Sequence, residues 1–290
     1  MLLMIPSADG HIATTDFKPV LCGYISQAQS MIHQGRLPGQ KVVHDVRVLM
    51  KQARAAIKLL RSSIDEDSFQ REYDAFRETG RIMSTWRESA VHRKLLRDFR
   101  KRHPALFTRV KDENVIRQLL EIHDDPASSA DRIREDLLKI KDILHRSSSR
   151  LRFLNLKVPD PRLLMEELER TFSLVSDCYL NARHNPKDVN IHEFRKKTKD
   201  LLYQLFFFRS LNPKAVRSLE KRLDQLAQDL GKYNDYAVLL RTLDYKYQTD
   251  ANNHALDEFA VIVRQEQDKY LTRIWPAAYR IFRPGKGLLV

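Results

Sequence analysis

The sequence predicts an all-α protein made of two similar helical bundles, and three observations carry that expectation. Glycine and proline are scarce, at 8 and 11 of 290 residues, while 42% of the chain is hydrophobic, which favours ordered helix over disorder. Between Val43 and Arg61, apolar residues recur at three- and four-residue steps, the period of one helix face. A version of that same stretch returns 148 residues later.

Residues 1–16 read as an N-terminal extension. Its start, MLLMIPSADG, is apolar but lacks a basic opening and a long apolar run, and Pro6 and Asp9 interrupt it, so no signal peptide is expected. Residues 17–34 form a first helix on Val20, Ile25, Ala28, Met31 and Ile32, with Gly35 placed to end it. After the turn RLPGQ, Val43, Val46, Met50, Ala53, Ile57 and Leu60 share a core-facing stripe. His44, Arg47, Lys51, Arg54, Lys58 and Arg61 follow one residue later and occupy the flank of that stripe. No acid interrupts this row, although like charges at i,i+4 repel and ordinary surface helices interleave both signs.

Asp65 is placed to cap the next helix, expected to run to about Trp86. Residues 89–102 form a loosely basic helix stopped before Pro104, and residues 105–122 are only weakly periodic. DDPASSAD reads as a loop with capping chemistry, and 130–148 as an amphipathic helix. The double-proline tract NLKVPDPR closes the first repeat, about 17–150. The second repeat, about 161–282, opens with a helix at 161–184 stopped by Pro186. Helices at 213–230, 233–247 and 252–282 complete it, with SLNP and Gly231 read as breaks, and 283–290 as a tail.

Sliding the chain by 148 residues places His44 on His192, Arg47 on Arg195, Lys51 on Lys199 and Arg61 on Arg209. The apolar stripe falls on Ile191, Phe194, Thr198, Leu201, Leu205 and Phe208. Agreement of both stripes at one offset predicts an internal duplication. Two bundles packed about a pseudo-two-fold axis would bring the flanking cation rows to one basic central groove or pore.

Lys and Arg outnumber Asp and Glu by 51 to 38, so the protein should attract polyanions: phosphate polymers, nucleic acid or anionic lipid. Cys22 and Cys178 are far apart and outside any C-x-x-C spacing, which argues against a disulfide framework or zinc cluster. No run approaches the length of a membrane span, and a cytoplasmic protein is expected. In both repeats the pattern H-x-x-R puts a His and an Arg one turn apart on one side of a helix, where Arg can offer phosphate a bidentate fork.

The segments VHDVRVLMKQAR and NIHEFRKKTKDLLY resemble the paired signatures of CHAD domains, the conserved histidine α-helical domains, over about residues 17–282. The resemblance implies an all-helical, two-repeat domain whose basic residues line a central cavity. It further implies binding of inorganic polyphosphate and association with polyphosphate granules. By position it points to His44, Arg47, Lys51 and Arg54 in the first motif and His192, Arg195, Lys196 and Lys199 in the second. The chain departs from the pattern at Leu202, which precedes Tyr203, and at Phe206, which answers Lys58. A later element, Gly231-Lys232-Tyr233-Asn234-Asp235, is degraded to Gly80-Arg81-Ile82-Met83-Ser84 in the first repeat, and Asp235 is expected to partner a motif cation.

Two other functions fit parts of the sequence. Nucleic-acid binding would use the same cations, but single-strand binders interleave stacking rings, and none lies between His44 and Arg61, although Tyr203 and Phe206 flank the second motif. An HD-type metal-dependent phosphohydrolase would use dyads such as His44-Asp45 and His123-Asp124, with His92 upstream. Adjacent residues of a helix diverge by about 100°. His123-Asp124-Asp125-Pro126 also has ordinary turn chemistry. The expectation is therefore a non-catalytic polyphosphate binder with no cofactor, no metal and no membrane partner. Its site comprises His44, Arg47, Lys51, Arg54, Lys58, Arg61, His192, Arg195, Lys196, Lys199 and Arg209, with the two histidines central. Bound phosphate favours the charged imidazole, so affinity should rise as pH falls through about 6.5.

Overall fold

The computed structural model describes residues 17–32, 37–84, 86, 88–113, 116, 117, 119, 126–154, 156, 160–210, 212–247, 254–283, 285 and 288. Among these the regular elements are all helical. They are α1 (Phe17–Ile32), α2 (Gln40–Leu59), α3 (Glu66–Ile82), α4 (Glu88–Arg102), α5 (Pro104–Val110), α6 (Pro126–Phe153), α7 (Pro161–His184), α8 (Asp188–Leu205), α9 (Pro213–Tyr247) and α10 (His254–Phe282). Short 3₁₀ turns follow α2 at Arg61–Ser63 and α8 at Phe206–Phe208. Helices α2 and α8 thus begin at the offset the sequence repeat predicts.

Local chemistry starts several of these helices. The Asp65 carboxylate accepts the Ser68 amide at 2.8 Å, and Glu66 and Asp67 complement the positive end of α3. Asp160 accepts the Arg162 amide at 2.8 Å ahead of α7, and α5 and α7 each carry proline in the first turn, where its missing N–H costs nothing. Two expectations are corrected. Gly231 does not break the chain: α9 is continuous from Pro213 to Tyr247, because a glycine costs a helix interior only about 1 kcal/mol and the flanking Leu230 and Tyr233 are buried. Helix α3 stops at Ile82, not Trp86, where the Met83 amide bonds back to the carbonyls of Thr79 and Arg81.

Helices α1, α2, α3 and α6 pack as one four-helix group and α7, α8, α9 and α10 as another, with α2 lying against α7 and α8. The joint is both apolar and polar. Phe17 stacks on Phe207 at 4.3 Å, the Gln204 amide donates to the Ala55 carbonyl at 3.2 Å, and Ser62 Oγ donates to buried Glu167 at 2.6 Å. One continuous core runs through both groups. A second core joins α4 and α5 to α9 and α10 through Leu96, Phe99, Val110, Leu239 and Phe259. At its edge buried Glu266 binds Arg102, which also reaches the Tyr236 hydroxyl, while His103 Nε2 lies 3.6 Å from Glu266. Cys22 and Cys178 are half-buried free thiols, both pushed up from their ordinary range chiefly by burial. No helix among the described residues is long and apolar enough to cross a membrane.

Candidate functional site

Every member of the two apolar stripes is buried, from Val43 to Leu60 on one side and from Ile191 to Phe208 on the other. Thr198 fits the second stripe because its hydroxyl donates to the Phe194 carbonyl at 2.8 Å, which removes the cost of burying it unpaired. With those faces committed to the core and α2 packed on α8, the adjacent flanks carry their cations to the edge of the helix crossing. A pocket forms there, lined by Lys51, Arg54 and Lys58 of α2, Tyr73 of α3, and Glu193, Arg195, Lys196, Lys197, Lys199, Asp200 and Tyr203 of α8. Seven of these side chains are cationic and two are carboxylates.

Six of the expected site residues therefore share one pocket: Lys51, Arg54, Lys58, Arg195, Lys196 and Lys199. The other five lie outside its lining. His44 and His192 are exposed in the second turns of their helices, seven residues and thus about 10 Å of rise before Lys51 and Lys199. His192 Nδ1 shares a 2.6 Å hydrogen bond with Asn234 Oδ1. Arg47 turns toward α3 and donates to the Gly80 carbonyl at 3.4 Å. Arg61 and Arg209 stand beyond the ends of α2 and α8, Arg61 opening one 3₁₀ turn and Arg209 following the other, where tighter winding takes the chain off the helical row. Arg61 pairs with Glu66 at 2.9 Å above the Phe69 ring, and Arg209 pairs with buried Glu220 at 2.9 Å above Phe206.

The degraded and intact glycine elements support the two motif arginines. A Cβ at Gly231 would lie 3.6 Å from Arg195 Nε, so the bare backbone of α9 is a floor for that guanidinium, as the Gly80 carbonyl is for Arg47. Within the same element Tyr233 donates to Asp188 at 2.9 Å and holds the start of α8. Asn234 of this element reaches the motif histidine His192.

The acids absent from the α2 row arrive from other elements. Lys58 Nζ of α2 binds Asp200 Oδ2 at 2.6 Å across the α2–α8 crossing, and Arg61 pairs with Glu66 of α3; on α8, Lys199 lies 3.6 Å from Asp224 of α9, and Lys196 binds Glu193 of its own helix at 2.6 Å. Burial lowers the Lys199 ammonium from its ordinary 10.5, against the pull of Asp224, and nearby Arg195 lowers it further. Burial also pushes the Tyr203 phenol up to about 12, so it stays a neutral hydrogen-bonding group at ordinary pH. Glu193 is raised by burial, but the hydrogen bond from Lys196 and the charges of Lys196 and Lys197 leave it below its ordinary value.

Sequence reasoning missed Tyr73, Glu193, Lys197, Asp200 and Tyr203 as lining groups. Lys197 and Asp200 each stand one position beyond a residue of the cationic row, a signal available in the repeat. Tyr73 comes from a neighbouring helix, and its position in the chain carries no such signal. No group of three metal-ligating side chains occurs among the described residues. Of the phosphohydrolase dyads, His44 is exposed and Asp45 half-buried, while His123-Asp124 and the His92 side chain lie outside the described residues.

The model of the CHAD domain family matches residues 25–244. A search of the solved structures finds the crystal structure of the CHAD domain from the plant Ricinus communis, 18% identical in sequence, with 95% of each chain covered and a TM-score of 0.57. At that identity the likeness concerns the fold. No curated protein matches the sequence.

Proposed function

The chain belongs to the CHAD domain family, and from that membership we propose that it binds inorganic polyphosphate non-covalently, without chemistry of its own. The observation that carries this reading is the pocket in which cations of α2 and α8 meet. Each helix alone presents one charged flank. Together they surround a space with ammonium and guanidinium groups that can donate several charge-assisted hydrogen bonds to adjacent phosphates. The proposal includes a pseudo-two-fold relation between the repeats, an intracellular role at polyphosphate granules, and a supporting role for His44, Arg47, His192, Arg61 and Arg209 at the margins of the site.

The pocket's rings favour a polymer without bases. Arg54 and Lys58 lie over Tyr73 at 6.0 and 5.5 Å, and Lys199 lies over Tyr203 at 5.7 Å. Cations already occupy these faces, as cation–π partners, where a base would have to stack. RNA or single-stranded DNA is the alternative ligand, since phosphate recognition by charge is common to both.

Competition separates them. The protein is loaded with labelled polyphosphate at physiological salt and challenged with RNA, single-stranded DNA or heparin at equal phosphate equivalents. Polyphosphate should remain bound. Ready displacement by RNA refutes polyphosphate as the preferred ligand. A manganese-supplemented phosphohydrolase assay, with metal analysis of the purified protein, tests the absence of chemistry, and turnover would overturn it.

A further inference from the structure

Within the pocket, one ion pair differs from the others. Glu193 and Lys196 lie three residues apart on one helix, with side chains 42% and 54% exposed, and water screens such pairs to little net value. Lys58 and Asp200 come from different helices, meet at 2.6 Å, and are only 29% and 15% exposed. Lys58 also lies against the Tyr73 ring, and Asp200 is one residue from Lys199 and three from Tyr203, all lining the same space. The pair has no counterpart in the other half of the repeat, since at the 148-residue offset Gln52 answers Asp200 and Phe206 answers Lys58.

We propose that Asp200 is the pocket's resident counter-anion, a specificity-determining residue that any phosphate must displace from Lys58. This rests on the phosphate-binding reading above. Binding is then an exchange of anions. An isolated orthophosphate offers its oxygens to few cations at once and competes poorly with a carboxylate already held at 2.6 Å and largely out of water. A condensed phosphate engages neighbouring cations first, and its next oxygens then reach Lys58 at high local concentration. Asp200 thereby sets a threshold that excludes single phosphate ions and admits chains.

The test is a double-mutant cycle on the full chain, using Asp200→Asn, Lys58→Gln and both together, with orthophosphate and tripolyphosphate as probes in calorimetry at physiological salt. Asparagine keeps the size of the side chain and an oxygen that can accept from Lys58, and circular dichroism checks that each variant is folded. Asp200→Asn should bind tripolyphosphate about tenfold tighter, the scale of one charge-assisted hydrogen bond, and should bring orthophosphate binding into range. In the Lys58→Gln background the same change should gain less than about threefold, because the competitor's target is gone. A full gain in that background would show a general charge effect and overturn the proposal. So would an unchanged affinity in folded Asp200→Asn. Binding of tripolyphosphate by none of the four proteins would refute the phosphate-binding reading itself.

Discussion

Neutralising Lys51 and Lys199 together, by Lys51→Gln and Lys199→Gln, tests the pocket from both of its helices. Each lysine lines it, one from α2 and one from α8. A charge-assisted hydrogen bond contributes about 1.5–3 kcal/mol, so two lost contacts set an upper range of about 3–6 kcal/mol. The lower half is the better expectation, because Lys199 already shares its charge with Asp224 at 3.6 Å. Polyphosphate affinity should therefore fall about 100-fold or more, since each 1.4 kcal/mol is tenfold. Salt provides a second readout. Seven lining cations give a slope of log affinity against log salt of about −5 if all engage a flexible polyanion, and the double variant should flatten it by about 1.4. Neither residue belongs to the core, and burial already disfavours the Lys199 charge, so the thermal midpoint should not drop. Fluorescence titration of labelled polyphosphate across a salt series measures both quantities. Affinity within twofold of the parent, or a weakened affinity with an unchanged slope, would place the binding surface elsewhere.

The depressed Lys199 ammonium yields a pH prediction. Its folded value lies below the ordinary 10.5, so the unfolded chain holds more protons between the two, and stability rises with pH across that interval. The urea midpoint of the parent should gain on that of Lys199→Gln as pH rises toward 10.5, and parallel curves would remove the effect from Lys199. Bound phosphate favours the charged ammonium, so binding at alkaline pH should take up protons, visible as a calorimetric heat that depends on the buffer. At Gly231, alanine should stabilise α9 by about 1 kcal/mol in urea unfolding and leave binding unchanged, because its Cβ meets Arg195 Nε at an ordinary 3.6 Å. Gly231→Leu should displace the guanidinium and weaken polyphosphate binding several-fold. Equal binding by the alanine and leucine variants would show that Arg195 does not need that floor.

Much of the helical order was legible because periodicity and capping are local. The segment 161–184 coincides with α7, the stripe from Val43 to Leu60 is buried throughout, and Asp65 caps α3 as its position suggests. Gly231 was misread for an equally physical reason. A glycine's cost to a helix is smaller than the stabilisation that burial of Leu230 and Tyr233 supplies, so packing carries α9 through it. The helix expected over 89–102 coincides closely with α4, but the face it buries could not be read from its own residues, since the partners of Leu96 and Phe99 lie on α9 and α10, far along the chain.

By itself the sequence determined an all-α chain, a motif repeated at a constant offset, and cations placed beside two core-facing stripes. Each follows from a helix turning about 100° per residue, whatever surrounds it. Only the tertiary structure decided which of those cations meet. The crossing of α2 on α8 gathers Lys51, Arg54 and Lys58 with Arg195, Lys196 and Lys199, leaves both motif histidines outside the lining, and turns Arg61 and Arg209 to acids of their own. It also brings Asp200 to Lys58, 142 positions away in the chain, because charge pairing depends on a few ångströms at a helix crossing and not on distance along the sequence.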